Sequence, residues 1–124
     1  MVAGERRGAR APDYRTITID GCEILVGRTA ADNDALTFRV ARPNDLWLHA
    51  AGYAGSHVVV RPSESGEIPR HVIERAAELA AYHSKARDAR GKVAVHLCRA
   101  ADVRKRRGAP AGQVFRLLPG IDRL

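Results

Sequence analysis

In the run Tyr14-Arg15-Thr16-Ile17-Thr18-Ile19 apolar and polar positions alternate with a period of two, and after Asp20-Gly21 an apolar run resumes at Cys22-Glu23-Ile24-Leu25-Val26. Two such segments joined by Asp-Gly predict a β-hairpin, because a two-residue corner needs positive φ, which these residue types tolerate. Gly27 ends the second strand. Thr29, with Asp32 three residues later, makes a weak capping box. It predicts a helix over residues 30–40 with Ala31, Asp34, Ala35 and Phe38 near one face. Pro43 disfavours helix in the residue before it, so residues 41–45 read as a turn.

Residues 46–50 and 57–61 read as strands, the second short, β-branched and the clearest in the chain. A tight Gly-containing connection at 52–56 lies between them. After a loop at 62–66, Pro69 suits the first turn of a helix running to about Asp88. Its stripe of Val72, Ile73, Ala76, Leu79, Ala80 and His83 recurs at helical spacing, and its alanines imply close packing on a sheet. Residues 92–98 alternate again, 103–111 form a basic loop, and 113–118 close the pattern as a last strand. Strands run together with two helices inserted, which predicts an α+β class: a single compact domain with a mostly antiparallel sheet. Residues 1–12 lack periodicity and read as a flexible basic arm, which leaves 13–124 for the domain.

Composition narrows the class. A chain of 124 residues suits one core, and 45% hydrophobic residues is too apolar for a disordered tail. No apolar run approaches the roughly 18–20 residues that span a bilayer, and the N-terminus lacks the apolar centre of a secretory signal. The expectation is a cytoplasmic protein with no membrane partner. Cys22 and Cys98 match no zinc spacing and read as reduced core residues, so neither metal nor cofactor is expected. Charge adds more. The net charge is +7 and the pI about 10.2, with 18 arginines against 3 lysines. A GC-rich coding sequence explains arginine over lysine, but not an uncompensated positive excess. That excess favours a polyanionic partner, nucleic acid foremost.

Four constellations carry candidate chemistry. Gly27 to Asp34 lies at a strand-to-helix junction, where free N–H groups beside Arg28 and Asn33 suit a phosphate. Asp32 and Asp34 repel phosphate, and an ordinary helix cap is the competing reading. Trp47 and His49 share one strand face with Arg42 at its edge, a base-stacking platform unless this only tryptophan fills the core. Ser56 and His57, with His49 and Asp45, raise a small hydrolase or nuclease. No nucleophile elbow accompanies them, and a metal site would lack a third ligand. Arg104, Lys105, Arg106 and Arg107 stand together in a loop rich in Gly and Pro, suited to a phosphate backbone or simply to solvent.

Several of these segments together resemble one family. Glu23 to Arg28, Asn33-Asp34, Leu36-Thr37, Ala41 to His49, Gly55 to Arg61 and Ala76 to Arg87 are similar to the NFACT RNA-binding domain. Val103, Lys105, Gly108 and Gly112 fit its basic loop. The resemblance spans roughly residues 15 to 118. It implies a non-enzymatic module for tRNA or large-subunit ribosomal RNA, with the ribosome as a partner. Long family members act in ribosome quality control and support C-terminal tailing of stalled nascent chains. Here the expectation is a free-standing domain without the family's other parts, linked to that process or to tRNA processing. The expected RNA-binding residues are Arg28, Asn33, Arg42, Trp47, His49, His57, Arg61, Arg104, Lys105, Arg106 and Arg107, with no catalytic residue. A Ser/His-dependent hydrolase or nuclease is the alternative, and docking of an acidic protein on the basic loop a third reading.

Overall fold

The computed structural model describes residues 11–87 and 93–103. The basic loop and the last strand expected at 113–118 lie outside the described residues, as do most of the N-terminal arm and the first residue of the strand expected at 92–98.

Five strands form one antiparallel sheet in the order β1-β2-β4-β3-β5. β1 (Tyr14–Ile19) and β2 (Cys22–Gly27) make the expected hairpin, pairing from Tyr14 opposite Gly27 to Ile19 opposite Cys22. Asp20 and Gly21 both adopt positive φ, 52° and 82°, as the twist-matched hairpin corner requires. β4 (Val58–Arg61) lies between β2 and β3 (Leu46–Ala50), and β5 (Val95–Arg99) pairs along the far side of β3. The class is α+β.

One face of the sheet carries α2 (Arg70–Tyr82). Ile24, Val26, Leu48, Val58 and Val60 point to that side and pack with Val72, Ala76, Ala77, Leu79 and Ala80. The small alanines let the helix lie close to the β-branched strands. That burial, at roughly 25 cal/mol per Å² of apolar surface, is the main term holding the layers together.

The opposite face carries α1 (Ala30–Ala35) and, after it, one wide turn of π-helix, Leu36–Val40. The expected helix over 30–40 is therefore two conformations. In the second, the Ala41 N–H bonds to the Leu36 carbonyl five residues back. The widening changes which side chains face inward. Leu36 and Thr37 are buried, while Ala31 and Phe38, expected on the packed face, are exposed. Leu36 joins Leu25, Trp47, Val59 and Cys98 in a second, smaller core. Cys22 and Cys98 are buried in separate apolar clusters and do not form a disulfide.

α2 stops at Tyr82 rather than near Asp88, because tertiary bonds replace the helical ones. The Ser56 N–H bonds to His83 O and the Lys85 N–H to Ala54 O, both at 2.9 Å. These form an isolated antiparallel bridge between Gly55 and Ser84. A Cβ on Gly55 would lie 2.4 Å from Ser84 Cβ and 2.6 Å from its Cα, so only glycine permits the approach. Among the described residues no helix is long and apolar enough to cross a membrane.

Candidate nucleic-acid interface

The sheet register divides the expected site residues between two ends. Leu46 lies opposite Val60 and Val26 opposite Val58. Arg61 and the turn at 41–45 therefore stand at one end of the central strands, and Gly27, Ser56 and His57 at the other. At about 3.3 Å per residue the ends are roughly 13 Å apart across β4.

Trp47 and His49 do share a face, as alternation requires, but that face is covered. Trp47 is 1% exposed and His49 6%. The Trp47 indole N–H donates to Thr37 Oγ1 at 2.9 Å, and the same hydroxyl stands 2.7 Å from His57 Nδ1. Trp47, His49 and His57 form a ring cluster with centroids 5.0 to 6.0 Å apart. The π-turn brings Thr37 and Leu36 over the platform and closes it. Trp47 is core, and neither it nor the two histidines is open to a base. Burial, followed by the proximity of His57 and His96, lowers the His49 pKa from 6.5 to about 4, against an opposing hydrogen bond to the Gly55 backbone. His49 is therefore neutral at physiological pH.

Asn33 is also buried, and its amide is committed. Its Oδ1 accepts the His57 N–H at 3.0 Å and its Nδ2 donates to Gly55 O at 3.3 Å. It pins the 55–57 connection instead of reaching a ligand. The expected capping box is present in full. Thr29 Oγ1 accepts the Asp32 N–H, and Asp32 accepts the Thr29 N–H and, through its other oxygen, the Asp13 N–H. The protein's own carboxylate thus occupies the helix start where a phosphate was expected.

Arg61 is tied down as well. Its Nε donates to Asp45 at 3.2 Å and its Nη2 to Val40 O at 2.6 Å, and Asp45 also accepts the Arg42 N–H. Ser56 Oγ donates to Gly27 O at 2.6 Å. Ser56, His57 and Asp45 thus have separate structural partners, and the triad of the hydrolase alternative is not assembled. Among the described residues no group of three or more His, Cys, Asp or Glu side chains could hold a metal ion. Arg42 is exposed, at the Arg61 end of the sheet. Arg104, Lys105, Arg106 and Arg107 lie outside the described residues.

At the opposite end of the sheet the structure builds a cleft of about 470 Å³. It is lined by Arg15, Arg28, Lys85 and Arg87, together with Tyr82, His83, Ser84 and the 54–56 connection. Among the described residues no carboxylate belongs to this lining, although Asp13 pairs with Arg28 from beside it at 3.0 Å. The cleft is a product of the Gly55–Ser84 bridge. Stopping α2 at Tyr82 turns Lys85 and Arg87 toward Arg15 at the start of β1 and Arg28 just after β2. The field is felt by His83: burial first, then Arg15, Arg87 and Arg28, hold its pKa below the usual value. Tyr82 stands at the rim, 56% exposed, with the Arg87 guanidinium 5.1 Å from its ring centroid.

Of the expected RNA-binding residues that are described, Arg28 alone lines this cleft; Arg15, Tyr82, Lys85 and Arg87 are not among those expected. Arg15 occupies the polar phase of the first strand, where exposure was legible but purpose was not. A helix continued to Asp88 would have scattered Lys85 and Arg87 around its circumference.

Comparison with known proteins agrees with this architecture. The family model for the NFACT protein RNA binding domain matches residues 13–116. The chain is 45% identical over 94 residues to the Rqc2 homolog RqcH of Bacillus subtilis, covering 76% of this chain and 16% of that protein. It is 39% identical over 111 residues to the RqcH of Streptococcus suis, covering 89% and 20%. The chain thus spans about a fifth or less of the length of these relatives. A solved structure of the C-terminal part of the fibronectin/fibrinogen-binding protein from Streptococcus suis superposes with a TM-score of 0.77 at 37% identity. It covers 97% of this chain and 47% of that one. With the family model matching most of its length, the chain belongs to the NFACT protein RNA binding domain family.

Proposed function

We propose that this domain binds RNA, without covalent chemistry of its own, by seating backbone phosphates in the cleft formed by Arg15, Arg28, Lys85 and Arg87. The observation that carries this reading is the convergence of four cations on one concave surface whose lining, among the described residues, contains no carboxylate. Such a surface attracts a polyanion by counterion release and fixes its register without reading sequence. The RNA in this reading is tRNA or large-subunit ribosomal RNA and the setting is ribosome quality control in the cytoplasm; a Drosophila melanogaster relative that carries the name of a ribosome quality control complex subunit homolog supports the quality-control part. Arg42 and the Arg104, Lys105, Arg106 and Arg107 segment extend the contact beyond the cleft.

Salt dependence tests the assignment. Four phosphate contacts correspond to a slope of log K against log salt of about −2.8 to −3.6, or roughly 50- to 150-fold weaker binding at about 200 mM than at 50 mM. Replacing Arg15 and Lys85 together by Gln should flatten the slope by about 2. The control is Arg70→Gln, on the outer surface of α2, which should leave it unchanged. A double variant with the parent's slope and affinity refutes the cleft as the phosphate site.

A further inference from the structure

Tyr82 belongs to two hollows. On one side is the cationic cleft; on the other is a second hollow of about 430 Å³, lined by Arg75, Glu78, Leu79, Tyr82 and His83. The tyrosine ring is the ridge between them, and more than half of it is open to solvent. Two contacts hold the ring in place. Arg87 approaches its ring at 5.1 Å, and the His83 ring meets it edge-on at 5.1 Å and 88°. The walls of the second hollow carry the Arg75–Glu78 ion pair, N to O 3.2 Å, beside the apolar Leu79. A flat, π-rich surface is thus flanked by apolar contact and by one donor fork and one carboxylate, within a nucleotide's reach of four phosphate-binding cations.

We infer that the ridge receives one unpaired nucleotide, its base stacked on Tyr82 over the second hollow and its phosphate in the cationic cleft. This rests on the reading that the cleft takes RNA phosphates, and adds the conformational state of the RNA. A base inside a duplex cannot offer its face to Tyr82, because both faces are covered by neighbouring bases. The site therefore selects single-stranded segments, loops, bulges or ends, while the cations beside it accept any phosphate backbone. Arg75 and Glu78 face the base edge, where a guanidinium donates to base acceptors and a carboxylate accepts from base N–H groups.

The test uses the full chain with two RNA probes of matched length, one unstructured and one duplex, at low salt. The unstructured probe carries a fluorescent purine analogue whose emission falls on stacking. Tyr82→Ala should weaken the unstructured probe by about 5- to 150-fold and abolish the quenching, leaving the duplex within about twofold. Tyr82→Phe keeps the ring and should keep both affinity and quenching. Because Tyr82 is largely exposed, both variants should fold, which circular dichroism checks. An equal loss on both probes, or no loss on either, overturns the stacking site while parent binding leaves the cationic cleft standing. Failure of the parent to bind either probe overturns the cleft reading, and the stacking site with it.

Discussion

Acid should unfold this domain through His49. The imidazole is buried and neutral, its pKa lowered to about 4 by burial and by the nearby His57 and His96. In the unfolded chain the same group titrates near 6.5. Between pH 6.5 and 4 the unfolded state therefore binds more protons than the folded one. Stability contributed by the neutral ring is complete above 6.5, falls as the pH drops through that window, and is gone below about 4. A shift of this size corresponds to about 3 kcal/mol in total, of which about 2 kcal/mol is already lost at pH 5. His83 is lowered in the same direction and adds to the loss. With a urea m-value of about 1–3 kcal/mol per M, the His49 part at pH 5 lowers the unfolding midpoint by roughly 0.7–2 M. The comparison is between the parent chain and His49→Gln, each titrated with urea by far-UV circular dichroism at pH 7.5, 6 and 5. Gln does not titrate, so the variant should lose distinctly less stability on acidification, whatever its absolute stability at pH 7.5. Parallel acid losses in parent and variant would refute the assignment to His49, and a parent that is flat from pH 7.5 to 5 would refute the burial argument itself.

Other expectations follow from single contacts. Trp47→Ala should cost about 3–5 kcal/mol and largely unfold the domain, because the ring fills the second core; a folded variant with weakened RNA binding would show instead that the ring is exposed. Gly55→Ala should cost about 1–3 kcal/mol and shift the 83–85 segment, since its methyl meets the Ser84 backbone; an unchanged melt with unchanged RNA affinity would contradict that. Arg61→Met leaves the buried Asp45 carboxylate without its guanidinium and should cost about 3 kcal/mol, with no loss of affinity per folded molecule in a filter-binding assay. Replacing Arg104, Lys105, Arg106 and Arg107 by Ala should leave the melt unchanged and weaken all RNA ligands about equally, as contacts to phosphate rather than to bases do.

The sequence by itself determined the elements whose reasons are local. The hairpin over β1 and β2 was legible because alternation and an Asp-Gly corner are both short-range facts, and the Thr29–Asp32 capping box for the same reason. The antiparallel α+β class followed from the order of strands and helices. The placement of Trp47 and His49 on one strand face was legible too, since a strand's period allows nothing else. Whether that face is open was not, because the residues that close it come from the Leu36–Val40 turn, about ten positions earlier. Its widening to a π-turn leaves no mark in the apolar pattern. Asn33 and Arg61 looked like ligand residues, and Asp45 like a catalytic partner, because polar side chains beside a turn serve either a ligand or the backbone. Only the tertiary structure, by supplying buried N–H and C=O groups that needed partners, decided for the backbone. The cleft likewise belongs to no local segment. It exists because the Gly55–Ser84 bridge outcompetes the last turn of α2, which brings cations from positions 15, 28, 85 and 87 to one surface. Long-range backbone pairing of this kind is decided by which donors and acceptors the finished sheet leaves unsatisfied, and no window of sequence contains that information.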